Sequence, residues 1–121
     1  MPTAFSKFLE EAGRDIMAQV GPGHAECVYQ RCLAKRLREY GATIELEKTC
    51  PVLFDSIQVG VIRPDIVVNR TVAVEVKAVA SVCLKNRVQL KKYADTHRAA
   101  FLVNFPQRLD AVAVQVIRLE E

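Results

Sequence analysis

Two β-branched runs, Ile66 to Val68 and Thr71 to Val76, flank a short polar tip at Asn69-Arg70. That pattern predicts a β-hairpin. Asp65 and Glu75 lie symmetrically about Arg70, so a hairpin closing there makes them cross-strand neighbours. Such neighbours share a face, with Cβ atoms roughly 5 Å apart, and like charges in that position repel. Lys77 follows Glu75 by two residues and therefore shares its face. Two carboxylates beside a lysine point to a divalent cation and an activated water.

The remaining pattern predicts a helix over about residues 3–19, carried by Phe5, Phe8, Leu9, Ala12 and Ile16 at helical spacing. Gly21-Pro22-Gly23 breaks it, and a second helix runs from His24 to Tyr40 with Gly41 as its stop. Thr43 to Phe54 is expected as one strand that bends at Pro51, paired through an Asp55-Ser56 turn with Ile57 to Ile62. After the hairpin come a helix from Leu84 to His97, a buried strand from Ala100 to Asn104 and an alternating strand from Ala111 to Leu119. The expectation is a single domain, 1–121, of α/β class with a mixed β-sheet flanked by helices. In the strand Thr71–Val79, Val72, Val74, Val76 and Ala78 should pack under a helix. Thr71, Ala73, Glu75, Lys77 and Val79 face the other way, and burying Glu75 or Lys77 unpartnered is costly. That second face must be a cleft, or its charges must be paired.

Composition narrows the class. With 50% hydrophobic and 26% charged residues the chain has the make-up of a globular protein. No apolar run approaches a membrane span of ~20 residues, so no membrane partner is expected. No secretory signal is visible at the N-terminus, which suggests an intracellular protein, cytoplasmic or nuclear rather than secreted. Cys27, Cys32, Cys50 and Cys83 form no C-x-x-C pair, and buried reduced thiols are expected. No phosphate-binding glycine loop and no Ser/Cys–His triad spacing occurs. His24 and His97 are expected as caps or surface residues. Between Lys85 and Arg108 the cations Lys85, Arg87, Lys91, Lys92, Arg98 and Arg108 face a single acid, Asp95. That imbalance suits a phosphate-bearing partner, although a solvated helix face explains it equally well.

Further candidates come from two helices. Glu26 shares a face with Tyr29, Leu33 and Leu37, so its carboxylate should look toward the sheet; an acid in the first helical turn is also favoured by the helix dipole. Gln89 and Tyr93 lie one turn apart, with Lys85 and Lys92 bracketing Gln89. Core packing for Tyr93 and a solvated position for Gln89 are the plainer alternatives.

Together these residues resemble a known pattern. Gly23-His24-Ala25-Glu26-Cys27-Val28-Tyr29 resembles the signature of the GxxExxY protein family, a branch of the PD-(D/E)XK nuclease superfamily. Pro64-Asp65 and Glu75-Val76-Lys77 read as the superfamily motif itself. Gln89-Leu90-Lys91-Lys92-Tyr93 resembles the Q-x-x-x-Y element of RecB-type nucleases, and Phe101-Leu102-Val103-Asn104-Phe105 resembles the family's following strand. The resemblance covers Gly21 to the C-terminus. It implies a restriction-endonuclease-like αβββαβ core with an extra N-terminal helix. It also implies Mg²⁺ or Mn²⁺ held by Asp65, Glu75 and the Val76 carbonyl, with Glu26 as a further ligand, directly or through water. Lys77 would orient or deprotonate the attacking water. Gln89 and Tyr93 would position the substrate backbone or the metal's water shell, with Lys85 and Lys92 beside them. The implied activity is phosphodiester hydrolysis; the expected substrate is DNA, with RNA ranked second, and no sequence specificity is expected unless a homodimer or partner protein supplies targeting. The alternatives are a catalytically silent nucleic-acid-binding or structural protein on the same fold, or an ion-pair network in an interaction module.

Overall fold

A computed structural model of the chain describes residues 3–107 and 114–120. Helix α1 spans Ala4–Val20 and α2 spans Glu26–Glu39. They are followed by strands β1 (Ile44–Leu46), β2 (Cys50–Phe54), β3 (Ile57–Ile62), β4 (Ile66–Val68) and β5 (Val72–Lys77). Helix α3 (Leu84–Thr96) and strands β6 (Ala99–Asn104) and β7 (Gln115–Glu120) complete the order. The main sheet runs β1-β4-β5-β6-β7, and only the β5–β6 pair is parallel. The α/β class with a mixed sheet between helices is the one expected. Residues 111–113 of the expected last strand lie outside the described residues.

The alternation of β5 sorts two cores. Val74 and Val76 are fully buried against Leu9 and Ile16 of α1 and Tyr29, Leu33 and Leu37 of α2. On the opposite face Ala73 packs with Leu102 of β6 and with Leu90, Tyr93 and Ala94 of α3. Each fully buried Val or Leu contributes roughly 1.5–3 kcal/mol, and these cores offset the cost of the charges that β5 also carries. Helix α1 is capped by Thr3, whose Oγ1 accepts the Ser6 amide at 3.0 Å. Helix α3 starts at a capping box in which Cys83 and Asn86 bond reciprocally. No helix among the described residues is long and apolar enough to cross a membrane.

The expected strand Thr43–Phe54 is instead two strands. Glu47 takes a positive φ of 50° and separates β1 from β2. The pairing register nevertheless continues across the break: Ile44 faces Val68 and Leu46 faces Ile66 in the main sheet, and Cys50 faces Ile62 in the outer ribbon. One long hairpin is therefore interrupted at Glu47–Thr49 and, opposite, at Arg63–Asp65. Pro64 has no amide to give to a ladder, which explains the interruption on its side. The β2–β3 ribbon beyond it forms a separate two-stranded sheet. The cysteines are free, as expected, but none is buried: Cys27 and Cys83 are exposed, Cys32 and Cys50 half-buried. Cys83 serves as a helix cap, a position that faces water.

Candidate active site

The β4–β5 turn sets the centre of the site. Asn69 and Arg70 both have positive φ, and the Thr71 amide closes the turn on the Val68 carbonyl at 3.1 Å. Asn69 is also clamped to the start of β1, its Oδ1 accepting the Thr43 amide at 2.8 Å. The register pairs Ile66 with Val74, so the next residues outward are Asp65 and Glu75. The Asp65 amide donates to Glu75 Oε1 at 3.3 Å, and the Val76 amide donates to Asp65 Oδ2 at 2.8 Å. Lys77 Nζ lies 3.8 Å from Glu75 Oε2. Two more donors converge on the Asp65 carbonyl, the Glu47 amide at 2.9 Å and Gln30 Nε2 at 3.2 Å.

The pair is electrostatically loaded. Glu75 is only 5% exposed. Burial, reinforced by the charge of Asp65, pushes its carboxyl up to about 8 despite Lys77. Burial likewise raises Asp65, opposed mainly by the Val76 amide. Two acids that resist joint ionisation are expected where a cation belongs.

Glu26 opens α2 and reaches the far end of β5, where its Oε2 accepts the Ala78 amide at 3.3 Å. Its charge contributes to raising Asp65. The preceding loop is held by Tyr29, fully buried and stacked on Phe105 with ring centroids 4.6 Å apart. The Tyr29 hydroxyl donates to the Gly21 carbonyl at 2.8 Å and accepts the His24 amide at 3.2 Å. Gly23, at φ +97°, gives its amide to Gln107 Oε1 at 2.9 Å.

From the other face α3 brings Gln89 and Tyr93, joined by a 2.9 Å hydrogen bond from Gln89 Nε2 to the Tyr93 hydroxyl. Burial, then the nearby Glu75 charge, pushes the Tyr93 phenol up to about 12. Lys85 and Lys92 line the same cleft as Gln89 and Tyr93. Lys91 is tied to Asp95, and Arg108 lies outside the described residues.

The sequence model of the PD-(D/E)XK nuclease superfamily matches residues 4–118. The chain belongs to the PD-(D/E)XK nuclease superfamily. Its mixed sheet with flanking helices is the restriction-endonuclease-like architecture, and a nuclease-type function follows from it. No curated protein and no solved structure matches. Pro64-Asp65 and Glu75-Val76-Lys77, the residues that resemble the superfamily motif, lie at the neighbouring ends of β4 and β5. The narrower GxxExxY likeness rests on Gly23, Glu26 and Tyr29.

The donor set fits a hard divalent cation. Mg²⁺ binds through one or two carboxylates together with waters and substrate phosphates, rather than in an all-protein cage. Asp65 and Glu75 would supply that pair. No three acid, histidine or cysteine side chains form a ready cage among the described residues. Sequence reasoning missed three supports. Gln30 and Gln107 carry no local signal, since their partners are distant in sequence. Asn104, buried inside a recognised motif, bonds both backbone groups of Val79, through Oδ1 at 3.0 Å and Nδ2 at 2.9 Å. It pins the exit of β5 just beyond Lys77.

Proposed function

We propose that the chain is a divalent-metal-dependent nuclease that hydrolyses phosphodiester bonds of nucleic acid, with DNA ranked ahead of RNA as its substrate, and without sequence specificity of its own. The carrying observation is the pair of half-buried Asp65 and buried Glu75, with Lys77 3.8 Å from Glu75. Mg²⁺ or Mn²⁺, held by Asp65, Glu75 and the Val76 carbonyl with Glu26 as a direct or water-mediated ligand, would supply Lewis acidity toward the phosphate and an acidified water. Lys77 orients the attacking water and supports charge gathering on the phosphoryl oxygens. Gln89 and Tyr93 hold the strand's backbone at the carboxylates, and Lys85 and Lys92 attract it.

Labelled DNA incubated with Mg²⁺ or Mn²⁺ tests the reading, wild type beside Lys77→Ala. Cleavage should appear with metal, vanish in chelator and drop by roughly 10²–10³ in the variant. DNA binding without any cleavage would instead favour the silent, binding-only protein. Cleavage unaltered by Lys77→Ala would remove the assigned site.

A further inference from the structure

The β2–β3 ribbon stands beside α3, and between them runs a trough with two unlike walls. The ribbon wall is apolar: Val52, Leu53, Val59, Gly60, Val61 and Ile62. Leu53, Val59 and Val61 are each more than half exposed. Opposite stands α3 with Lys85, Gln89, Lys92 and Tyr93. Three cavities of about 500, 500 and 540 Å³ follow one another, joined first at Val61, Ile62 and Lys92 and then at Leu53, Asp95 and Thr96. Shared walls thus run along the trough from Lys85 at one end to Arg70 at the other. Along α3 it extends roughly 16 Å, at about 1.5 Å per residue.

Its charge is one-sided. Lys48, Arg63, Arg70, Lys85 and Lys92 line it, and the sole lining acid, Asp95, is bound to Lys91. Lys85, Lys92 and Arg70 make no ion pair among the described residues. Where Tyr93 meets Arg63, its hydroxyl donates to the carbonyl at 3.5 Å, so the two walls touch at that floor. An apolar wall facing a cationic one fits a single strand, with bases on the first and phosphates on the second.

We propose that this trough binds single-stranded DNA and delivers an unpaired strand past Gln89 and Tyr93 to the Asp65–Glu75 pair. Delivery rests on the nuclease reading; binding does not.

Fluorescence anisotropy in EDTA separates the two, using labelled thymidine and uridine oligomers of about 15 nucleotides and a blunt duplex of equal length. The thymidine oligomer should bind with strong salt dependence, at least roughly tenfold more tightly than the duplex and more tightly than the uridine oligomer. Lys92→Glu and Val61→Glu should each weaken it about tenfold with an unchanged melting temperature. Lys85→Glu, at an exposed helical position, repeats the test if Val61→Glu misfolds. Duplex or RNA binding as tight as that of the thymidine oligomer overturns the proposal, as does wild-type binding in every lysine variant. Tight single-strand binding without cleavage in Mn²⁺ would leave the trough standing and remove the nuclease reading. Blunt duplexes cut as fast as single strands would do the reverse.

Discussion

The amide of Asp65 donates to the carboxylate of Glu75 at 3.3 Å, so one acid of the site anchors the other. With the Val76 amide holding Asp65 at 2.8 Å, the backbone of two strands fixes both carboxylates against their mutual repulsion. The hydrophobic faces of β5 supply the stability that lets this arrangement persist.

That repulsion should be visible in the metal-free protein as a pH dependence. Glu75 titrates near 8 when folded against about 4.5 as a free side chain. Its tightly held proton favours the folded state fully below about pH 4.5, and this contribution is lost as pH rises through about 8. Asp65, also raised, acts in the same direction. The melting temperature in EDTA should therefore fall by several degrees between about pH 5 and 8. Glu75→Gln should flatten the fall. A variant curve parallel to wild type would sink the assignment of the effect to Glu75.

Metal should reverse this loss. At about pH 8, Mn²⁺ at a hundred times its Kd would stabilise a native-state site by about 2.7 kcal/mol, a melting shift of several degrees. Asp65→Asn should abolish the shift while melting higher than wild type without metal, since the repulsion is gone. An equal Mn²⁺ shift in both proteins would mean that the ion binds elsewhere.

Tyr29→Phe keeps the ring stack on Phe105 but removes the hydroxyl shared by Gly21 and His24. Chemical denaturation should register a loss of roughly 1–3 kcal/mol, and cleavage should fall because the loop that presents Glu26 loosens. Glu26→Gln should lower cleavage alone. Cleavage untouched by both changes would take Glu26 out of the site.

Asn104→Ala leaves the amide and carbonyl of Val79 without their side-chain partner. Each of these part-buried hydrogen bonds contributes roughly 0.5–1.5 kcal/mol, so stability should fall by about that much per bond, and hydrogen exchange should accelerate at the C-terminal end of β5 ahead of its middle. Uniform protection along β5 would show that Asn104 does not pin this end.

Much of the site was legible because its signals are local. Strand alternation of period two sorted Val74 and Val76 from Glu75 and Lys77, and the Asn69-Arg70 tip set the register that opposes Asp65 to Glu75. Motif spacing added Glu26, Gln89 and Tyr93. Other features depend on contacts between distant segments. Glu47 breaks the long strand at a single positive φ opposite Asp65, next to Pro64, which no periodicity encodes. Gln30, Gln107 and Asn104 matter only through partners that the fold brings to them. The sequence by itself determined the hairpin, its register and the acids at its end, because backbone geometry repeats from residue to residue. Only the tertiary structure decided how deeply Glu75 is buried, where Glu26 reaches, and that ribbon and α3 enclose a trough, because burial and contact arise from packing between elements far apart in the chain.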